Sequence, residues 1–254
     1  MTDPAPTERF ADRSSDYARY RPTYPAAAVD AVLCGLPPPF RMHAADVAAG
    51  TGIFARLLAE RGVPTTAVEP NASMRAAAAP HPLVRWVDGT AEATTLPAAS
   101  ADLLTAAQAF HWFDAAAALA EFARVLRASG RLAIVWNRRC RDDAFTLGYC
   151  QALEAIDGEA PAERSTFDPS IVGATRLFTA YEAATFPLRQ AITGDELIGR
   201  ARSTSTVPKS GPRWDELVRL LTALHARCCD SSGRATFVYR TEVFRWRRGP
   251  AAAC

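Results

Sequence analysis

The segment Asp46-Val47-Ala48-Ala49-Gly50-Thr51-Gly52 decides the fold of this chain. It joins an apolar run at 42–47, which is typical of a buried strand, to a helical pattern at 53–61. Its glycines permit a tight turn in which backbone N–H groups approach a ligand closely. A second apolar run ends at Glu69, nineteen residues past Gly50. An acid at that strand end can accept hydrogen bonds from both ribose hydroxyls, so the pattern predicts an adenosine-containing cofactor.

The identity of that cofactor depends on what surrounds the glycines. Residues 50–55 also fit the G-x-G-x-x-A form of the dinucleotide fingerprint. Asp46 favours S-adenosylmethionine, because a carboxylate repels a pyrophosphate but attracts the ammonium group of a methionine moiety. A nicotinamide-dependent oxidoreductase is the alternative, although the chain has no Tyr-x-x-x-Lys pair.

Several motifs in a fixed order carry a family resemblance. They are Phe10 with Tyr17–Pro25, Asp46–Gly52, Val68–Asn71 with Met74, Gly89–Glu92, Leu96-Pro97, Ser100–Asp102 and Gln108–Asp114. Over about residues 10–137 the chain resembles the class I S-adenosylmethionine-dependent methyltransferases, especially the small-molecule branch with the trans-aconitate-methyltransferase-like proteins. It departs from the family at Ala48, where the first glycine of the loop is common. Alanine adopts fewer backbone conformations than glycine.

Alternating strand and helix patterns predict an α/β fold. The resemblance implies a Rossmann-like seven-stranded sheet, mostly parallel with an antiparallel edge strand and with helices on both faces. Predicted strands are 42–47, 65–69, 83–87, 102–107, 131–136, 178–189 and 235–245, and predicted helices are 26–36, 53–61, 73–79, 114–127, 144–156 and 214–228. We expect one domain, 1–254, comprising an N-terminal lid (1–40), a cofactor-binding core (41–137) and acceptor-pocket insertions with antiparallel edge strands (138–254).

Ligands of a doubly wound sheet lie at the carboxyl ends of its strands, which places the predicted cofactor residues. Asp46, Ala48, Gly50 and Gly52 are expected around the methionine end, and Glu69 at the ribose. The resemblance adds residues near the ribose, adenine and sulfonium: Pro70, Asn71, Met74, Gly89, Thr90, Ala91, Glu92, Gln108 and Ala109. Met74 could equally belong to the helix core. Because Thr90 stands where relatives often have an acid, we expect the backbone around it to meet the adenine.

Residues 108–112 close the fourth strand, where the resemblance places the acceptor. Methyl transfer from a sulfonium can be catalysed by alignment and desolvation, without a side-chain nucleophile. His111 is the candidate general base, because its usual pKa is about 6.5. The alternative is that it braces the strand end or positions substrate beside Phe110 and Trp112.

The aromatic segment with Tyr17, Tyr20, Arg21 and Tyr24 resembles the family's lid. Its rings could cover a sulfonium through cation–π attraction, and Arg21 could meet the cofactor carboxylate or an acidic substrate. These tyrosines could instead pack a terminal helix on the core. Arg202, in the insertion 193–208, is a candidate for a carboxylate-bearing acceptor or a solvated helix end. The residues predicted to contact substrate are Tyr17, Tyr24, Phe110, His111, Trp112 and Arg202.

Composition excludes several classes of partner. The 254 residues are 49% hydrophobic, and 29 basic against 27 acidic residues leave a formal net charge of +2, which argues against nucleic acid. Six cysteines without C-x-x-C spacing indicate free thiols in a reducing compartment and no metal site. No apolar run approaches membrane-spanning length. We therefore expect a cytoplasmic monomer or homodimer that does not bind membranes.

Together these observations predict S-adenosylmethionine-dependent methyl transfer to a small organic acceptor. Oxygen or carbon is the expected receiving atom in preference to nitrogen. The alternative is a protein of this fold that binds the cofactor and catalyses another reaction, such as cyclisation of a natural product.

Overall fold

A computed structural model describes residues 13–157, 167–204 and 206–250. These residues form one seven-stranded sheet with the order β3-β2-β1-β4-β5-β7-β6. The strands are β1 (Ala44–Val47), β2 (Thr65–Val68), β3 (Val84–Val87), β4 (Ala101–Ala107), β5 (Leu126–Arg139), β6 (Phe178–Ile192) and β7 (Ala235–Arg248). The pairs among β1 to β5 are parallel, and β7 pairs antiparallel with both β5 and β6. This confirms the predicted fold class.

Nine α-helices lie in the described part of the chain. They are α1 (Ser14–Tyr20), α2 (Ala26–Leu33), α3 (Ile53–Ala59), α4 (Ala72–Ala76), α5 (Ala115–Val125), α6 (Ala144–Asp157), α7 (Ser170–Ala174), α8 (Gly194–Arg202) and α9 (Pro212–Cys228). Short 3-10 turns occupy Pro39–Arg41 and Phe110–Trp112. No helix of the described ranges is both long and apolar enough to cross a membrane.

Alternate residues of the buried strands supply cores on opposite faces of the sheet. On β4, Leu103 packs with α2 and α3, whereas Leu104 packs with α5. A third cluster joins α6, α8 and α9 to the first half of β7 through residues such as Tyr149 and Phe237. The cluster adjoins the carboxyl end of β5, where Tyr239 pairs with Arg139.

Three details differ from the sequence prediction. The helix predicted at 114–127 ends at Val125, because Leu126 becomes extended and pairs with Ala101. The antiparallel strand β7 is not the edge itself but lies between β5 and the edge strand β6. Helix α8 was missed, although the spacing of Thr193 and Glu196 forms a capping box that could have revealed it.

Candidate cofactor and acceptor site

The loop after β1 has the backbone geometry that its glycines were expected to provide. Gly50 and Gly52 have φ of 59° and 73°, and Ala48 also lies in the left-handed region at φ 53°. Alanine therefore takes the conformation for which relatives use glycine, at some steric cost. A Cβ on Gly52 would lie 2.9 Å from Cζ2 of Trp86, so this position also requires the absence of a side chain.

Glu69 follows β2 with its carboxylate held in place by backbone donors. The Gly50 N–H donates to Oε2 at 2.9 Å, and the Asn71 N–H donates to Oε1 at 2.9 Å. Burial raises the pKa of this carboxyl, and these two hydrogen bonds oppose the shift. Each carboxylate oxygen can accept a second hydrogen bond. Glu69 thus orders the glycine loop and can still receive a diol.

Asp46 is buried at the carboxyl half of β1 and is only partly satisfied. Its Oδ1 accepts a 2.6 Å hydrogen bond from the Thr105 hydroxyl, while Oδ2 has no hydrogen-bond partner in the described ranges. Burial raises the pKa of Asp46 to about 7, an effect opposed by the Thr105 hydroxyl and the Ala55 backbone N–H and reinforced by the charge of Glu69. A cationic ligand group near Oδ2 would stabilise the ionised form.

Helix α1 lies over the glycine loop. A Cβ on Gly50 would lie 3.3 Å from Cε of Met74 and 3.8 Å from Cε1 of Tyr17, so both side chains flank this residue. The Arg21 guanidinium stacks 4.6 Å from the centre of the Tyr17 ring and donates to the Ser203 carbonyl at 2.9 Å. The predicted lid segment is therefore connected to both the loop and the region after α8.

Several predicted cofactor residues make hydrogen bonds within the protein. The Asn71 side chain caps α4 by accepting from the N–H groups of Ser73 and Met74. The Pro70 carbonyl accepts from Arg75 at 3.0 Å. The Asn71 amide oxygen is thus already engaged, and its predicted contact with the ribose stays a prediction.

The adenine-edge segment forms a tight turn. A Cβ on Gly89 would lie 2.7 Å from the Thr94 carbonyl oxygen, which explains the glycine. The Thr90 N–H donates to the Ala93 carbonyl, and Glu92 accepts from the Asp114 N–H at 3.0 Å. With the Thr90 N–H and Glu92 engaged, the buried Ala91 is the remaining candidate for a backbone contact with adenine.

Gln108 fastens the ends of β4 and β5 to each other. Its Oε1 accepts from the Asn137 N–H at 2.7 Å, and its Nε2 donates to the Asn137 carbonyl at 3.4 Å. Ala109 and Phe110 are buried, and Phe110 packs edge-on against Phe113. These side chains are therefore engaged within the protein. A direct contact between Gln108 and a ligand would involve the backbone of Gln108.

His111 stands next to two indole rings. Its ring centre lies 4.4 Å from that of Trp112 and 5.4 Å from that of Trp136. The residue keeps a solvent-exposed side. Burial of the imidazole, with the charge of Arg21, lowers its pKa to about 4. The lowered pKa favours the neutral imidazole at physiological pH, and the role of His111 as general base stays a prediction.

Three residues predicted at the site serve the surrounding structure. The Tyr20 ring packs on the backbone of Gly199 in α8. Tyr24 is buried edge-on against Phe54, 5.1 Å between ring centres, and interacts electrostatically with Asp46, while its contact with substrate stays a prediction. Arg202 is exposed and stacks over Trp214 at 5.2 Å.

Sequence reasoning missed two arginines that lie close enough to Arg21 to act on its charge. Arg200 is 3% exposed and donates to the Ser203 hydroxyl at 3.3 Å, and Arg139 stacks 5.0 Å from the centre of the Tyr149 ring. Residues two apart on a helix point to nearly opposite sides, which is why Arg200 is inside and Arg202 outside. The charged end of α8 was visible in the sequence, but not its inward face.

The glycine loop and the acid at the adjoining strand end define a Rossmann-like cofactor-binding protein. Comparisons identify its family. Residues 45–134 match the methyltransferase domain family. An uncharacterized methyltransferase of Mycobacterium bovis is 34% identical over 232 residues, covering 89% of this chain and 90% of the relative, and a Mycobacterium tuberculosis protein matches equally.

Solved structures share the fold. A protein assigned as a type II methyltransferase from Anaeromyxobacter dehalogenans superposes with a TM-score of 0.70 at 26% identity, covering 91% of this chain and all of that one. One assigned to antibiotic biosynthesis in Anabaena variabilis has a TM-score of 0.64 at 23% identity, covering 89% and 98%. The chain belongs to the class I S-adenosylmethionine-dependent methyltransferases. It is an enzyme whose methyl donor is S-adenosylmethionine.

Proposed function

We propose that this enzyme methylates a small organic acceptor, at oxygen or carbon in preference to nitrogen. The observation that carries the proposal is the position of α1, whose Tyr17 covers Gly50 while Arg21 bonds to the Ser203 carbonyl. Arg13 strengthens this cover by donating to the Thr204 and Val207 carbonyls at 2.5 and 2.9 Å. A site closed by the enzyme's own N-terminal helix suits a small molecule better than a polymer.

The residues around the loop fit the proposed cofactor. Asp46 offers an unpartnered carboxylate oxygen for the ammonium group, and Glu69 offers a fixed carboxylate for the ribose hydroxyls. Tyr17 and Met74 flank the loop between these two groups. When bound, the cofactor supplies a methyl group made electrophilic by its sulfonium. The remaining predicted contacts, including Gly89, Ala91 and Ala109, are proposed on the family resemblance.

The chain's own contribution to chemistry is alignment and exclusion of water. The His111 ring lies beside Trp112 and Trp136 and its pKa is lowered, so we propose that it positions the acceptor together with Trp112. Acceptors that are already ionised, or whose carbon nucleophile is activated without an enzyme base, suit such a site. The sequence also lacks an Asn-Pro-Pro-Tyr-like amine site and a Pro-Cys nucleophile, which supports a substrate other than nucleic acid.

The chain is proposed to act as one catalytic unit, with 1–40 as lid, 41–137 as cofactor core and 138–254 as acceptor wall. A cytoplasmic location is supported by the cysteines, since the five in the described ranges are all free. The sixth, Cys254, lies outside those ranges. A monomer or a homodimer is expected, which light scattering at the enzyme's working concentration distinguishes.

The test is a screen of small acids, phenols and activated carbon acids with the purified full chain and S-adenosylmethionine. We expect at least one acceptor to yield methylated product and S-adenosylhomocysteine in equal amounts. Product without demethylated cofactor would favour the non-methylating alternative. Turnover confined to nucleic acid or protein substrates would refute the proposal.

A further inference from the structure

Three arginines lie near one another, and none of them has an acidic partner among the described residues. Arg21 comes from the segment after α1, Arg139 ends β5, and Arg200 lies in α8. The Nε atom of each is buried and has no hydrogen-bond partner within the described ranges. Arg21 and Arg200 both contact Ser203, through its carbonyl at 2.9 Å and its hydroxyl at 3.3 Å respectively.

Other arginines in the described ranges have the carboxylate partner that these three lack. Arg61, Arg124 and Arg141 each have a carboxylate within 2.7 Å. No ion pair involving Arg21, Arg139 or Arg200 occurs in the ranges the structure describes. Arg200 is buried, whereas Arg21 and Arg139 are half-buried. Buried charges in proteins are normally paired, so the lack of a carboxylate partner for Arg200 among the described residues requires an explanation.

The positive charges also act on each other. Burial, together with Arg200 and Arg139, lowers the pKa of Arg21 to about 10. Arg21 nevertheless stays charged at neutral pH. Such repulsion is unfavourable in the free enzyme, and the attraction of the guanidinium groups to a bound anion of sufficient charge would offset it.

Neutral hydrogen-bonding groups complete the cluster. The Tyr149 hydroxyl is fully buried and has no partner among the described residues. Tyr239 stands close enough to Arg139 to favour its charged form, although its hydroxyl makes no hydrogen bond of good geometry. Guanidinium and phenol donors together match the acceptor oxygens of a carboxylate or phosphate.

The cluster lies on the same side of the sheet as the glycine loop. Arg139 is at the carboxyl end of β5, and Arg21 stacks on Tyr17, which covers Gly50. An anion held there is therefore next to the methyl-transfer site. The carboxylate of the cofactor carries one charge and could neutralise one arginine, which leaves two for another ligand.

We propose that Arg21, Arg139 and Arg200, with Tyr149, bind a multiply charged oxyanion of the methyl acceptor, either a phosphate monoester or a group of neighbouring carboxylates. This inference rests on the proposed function and names its substrate class. It assigns the acceptor's anchoring group to the cluster and leaves the receiving atom to face the His111 side.

The experiment is calorimetric titration of the full chain, saturated with S-adenosylhomocysteine, with inorganic phosphate in one arm and glutarate in the other. We expect one anion to bind and to raise Tm. Arg200→Met and Arg139→Met should each weaken that binding at least tenfold, because a charge-assisted contact is lost. Arg219→Met is the matched control, since Arg219 is exposed and paired with Glu216, and should change binding less than twofold.

The outcomes separate the possible errors. Binding of neither anion, or equal binding by wild type, Arg200→Met and Arg139→Met, would overturn the inference. A second pair of results would also overturn it: S-adenosylhomocysteine prevents the anion from binding, and Arg200→Met loses affinity for S-adenosylhomocysteine to the same extent. The cluster would then bind the carboxylate of the cofactor. The Tm of unliganded Arg200→Met should not fall, since an unpaired buried charge is removed. Methyl transfer only to uncharged small acceptors would refute the inference and leave the proposed function intact.

Discussion

Replacing Glu69 with alanine tests the cofactor assignment most directly. In the folded chain this carboxylate accepts from the N–H groups of Gly50 and Asn71 and is expected to accept two ribose hydroxyls on its remaining lone pairs. Two charge-assisted hydrogen bonds of about 1.5–3 kcal/mol each amount to about 3–6 kcal/mol. The expected loss of affinity for S-adenosylhomocysteine is therefore about 10²- to 10⁴-fold.

The assay is isothermal titration of S-adenosylhomocysteine into wild type and Glu69→Ala. Glu69→Gln keeps one acceptor oxygen and should lie between them. Glu60→Ala removes an exposed carboxylate at the end of α3 and should bind like wild type. Since Glu69 also holds the loop, Tm of each variant is measured in parallel. Glu69→Ala that stays folded with affinity within threefold of wild type would refute the ribose assignment.

Three further changes probe the loop and the crevice. Gly52→Ala should lower the free energy of unfolding by about 2 kcal/mol in urea denaturation, because φ is 73° and Trp86 is too close, while Gly173→Ala, with open space around it, should not. Asp46 has a higher pKa in the folded than in the unfolded chain, so the free energy of unfolding of the cofactor-free enzyme should fall as pH rises from about 4 to about 7. Asp46→Asn should reduce this pH dependence, measured by urea denaturation across the same range. An identical pH dependence in wild type and Asp46→Asn would contradict the shift. His111→Gln should reduce kcat less than tenfold, whereas a loss of more than a hundredfold in a steady-state assay would identify His111 as the base after all.

Local sequence patterns were sufficient to predict the sheet, the glycine loop and the acid that follows β2. The strand before Gly50, the acid at Glu69 and the alternation of strands and helices each depend on neighbours within a few residues. Hydrophobic period and turn chemistry are short-range properties, so they survive in a single sequence. The order of the motifs then predicted the family that the comparisons confirm.

The side chains of the predicted motif were harder to assign. The motif predicts that Gln108 contacts the ligand, and its side chain hydrogen-bonds to the Asn137 backbone. The motif predicts that Tyr20 belongs to a lid, and its ring packs on Gly199. In both cases the partner is distant in sequence. No local pattern records which distant backbone group will occupy a polar or aromatic side chain.

The sequence alone therefore determined the parallel core, the cofactor loop after β1 and the acid after β2. Tertiary structure decided which charges are buried and which lie close together: it placed Arg200 inside and Arg202 on Trp214, and brought Arg139 and Arg21 together from elements more than a hundred residues apart. The physical reason is that strand and helix formation depends on local backbone and side-chain preferences. Burial and electrostatic environment arise only when distant segments pack against one another.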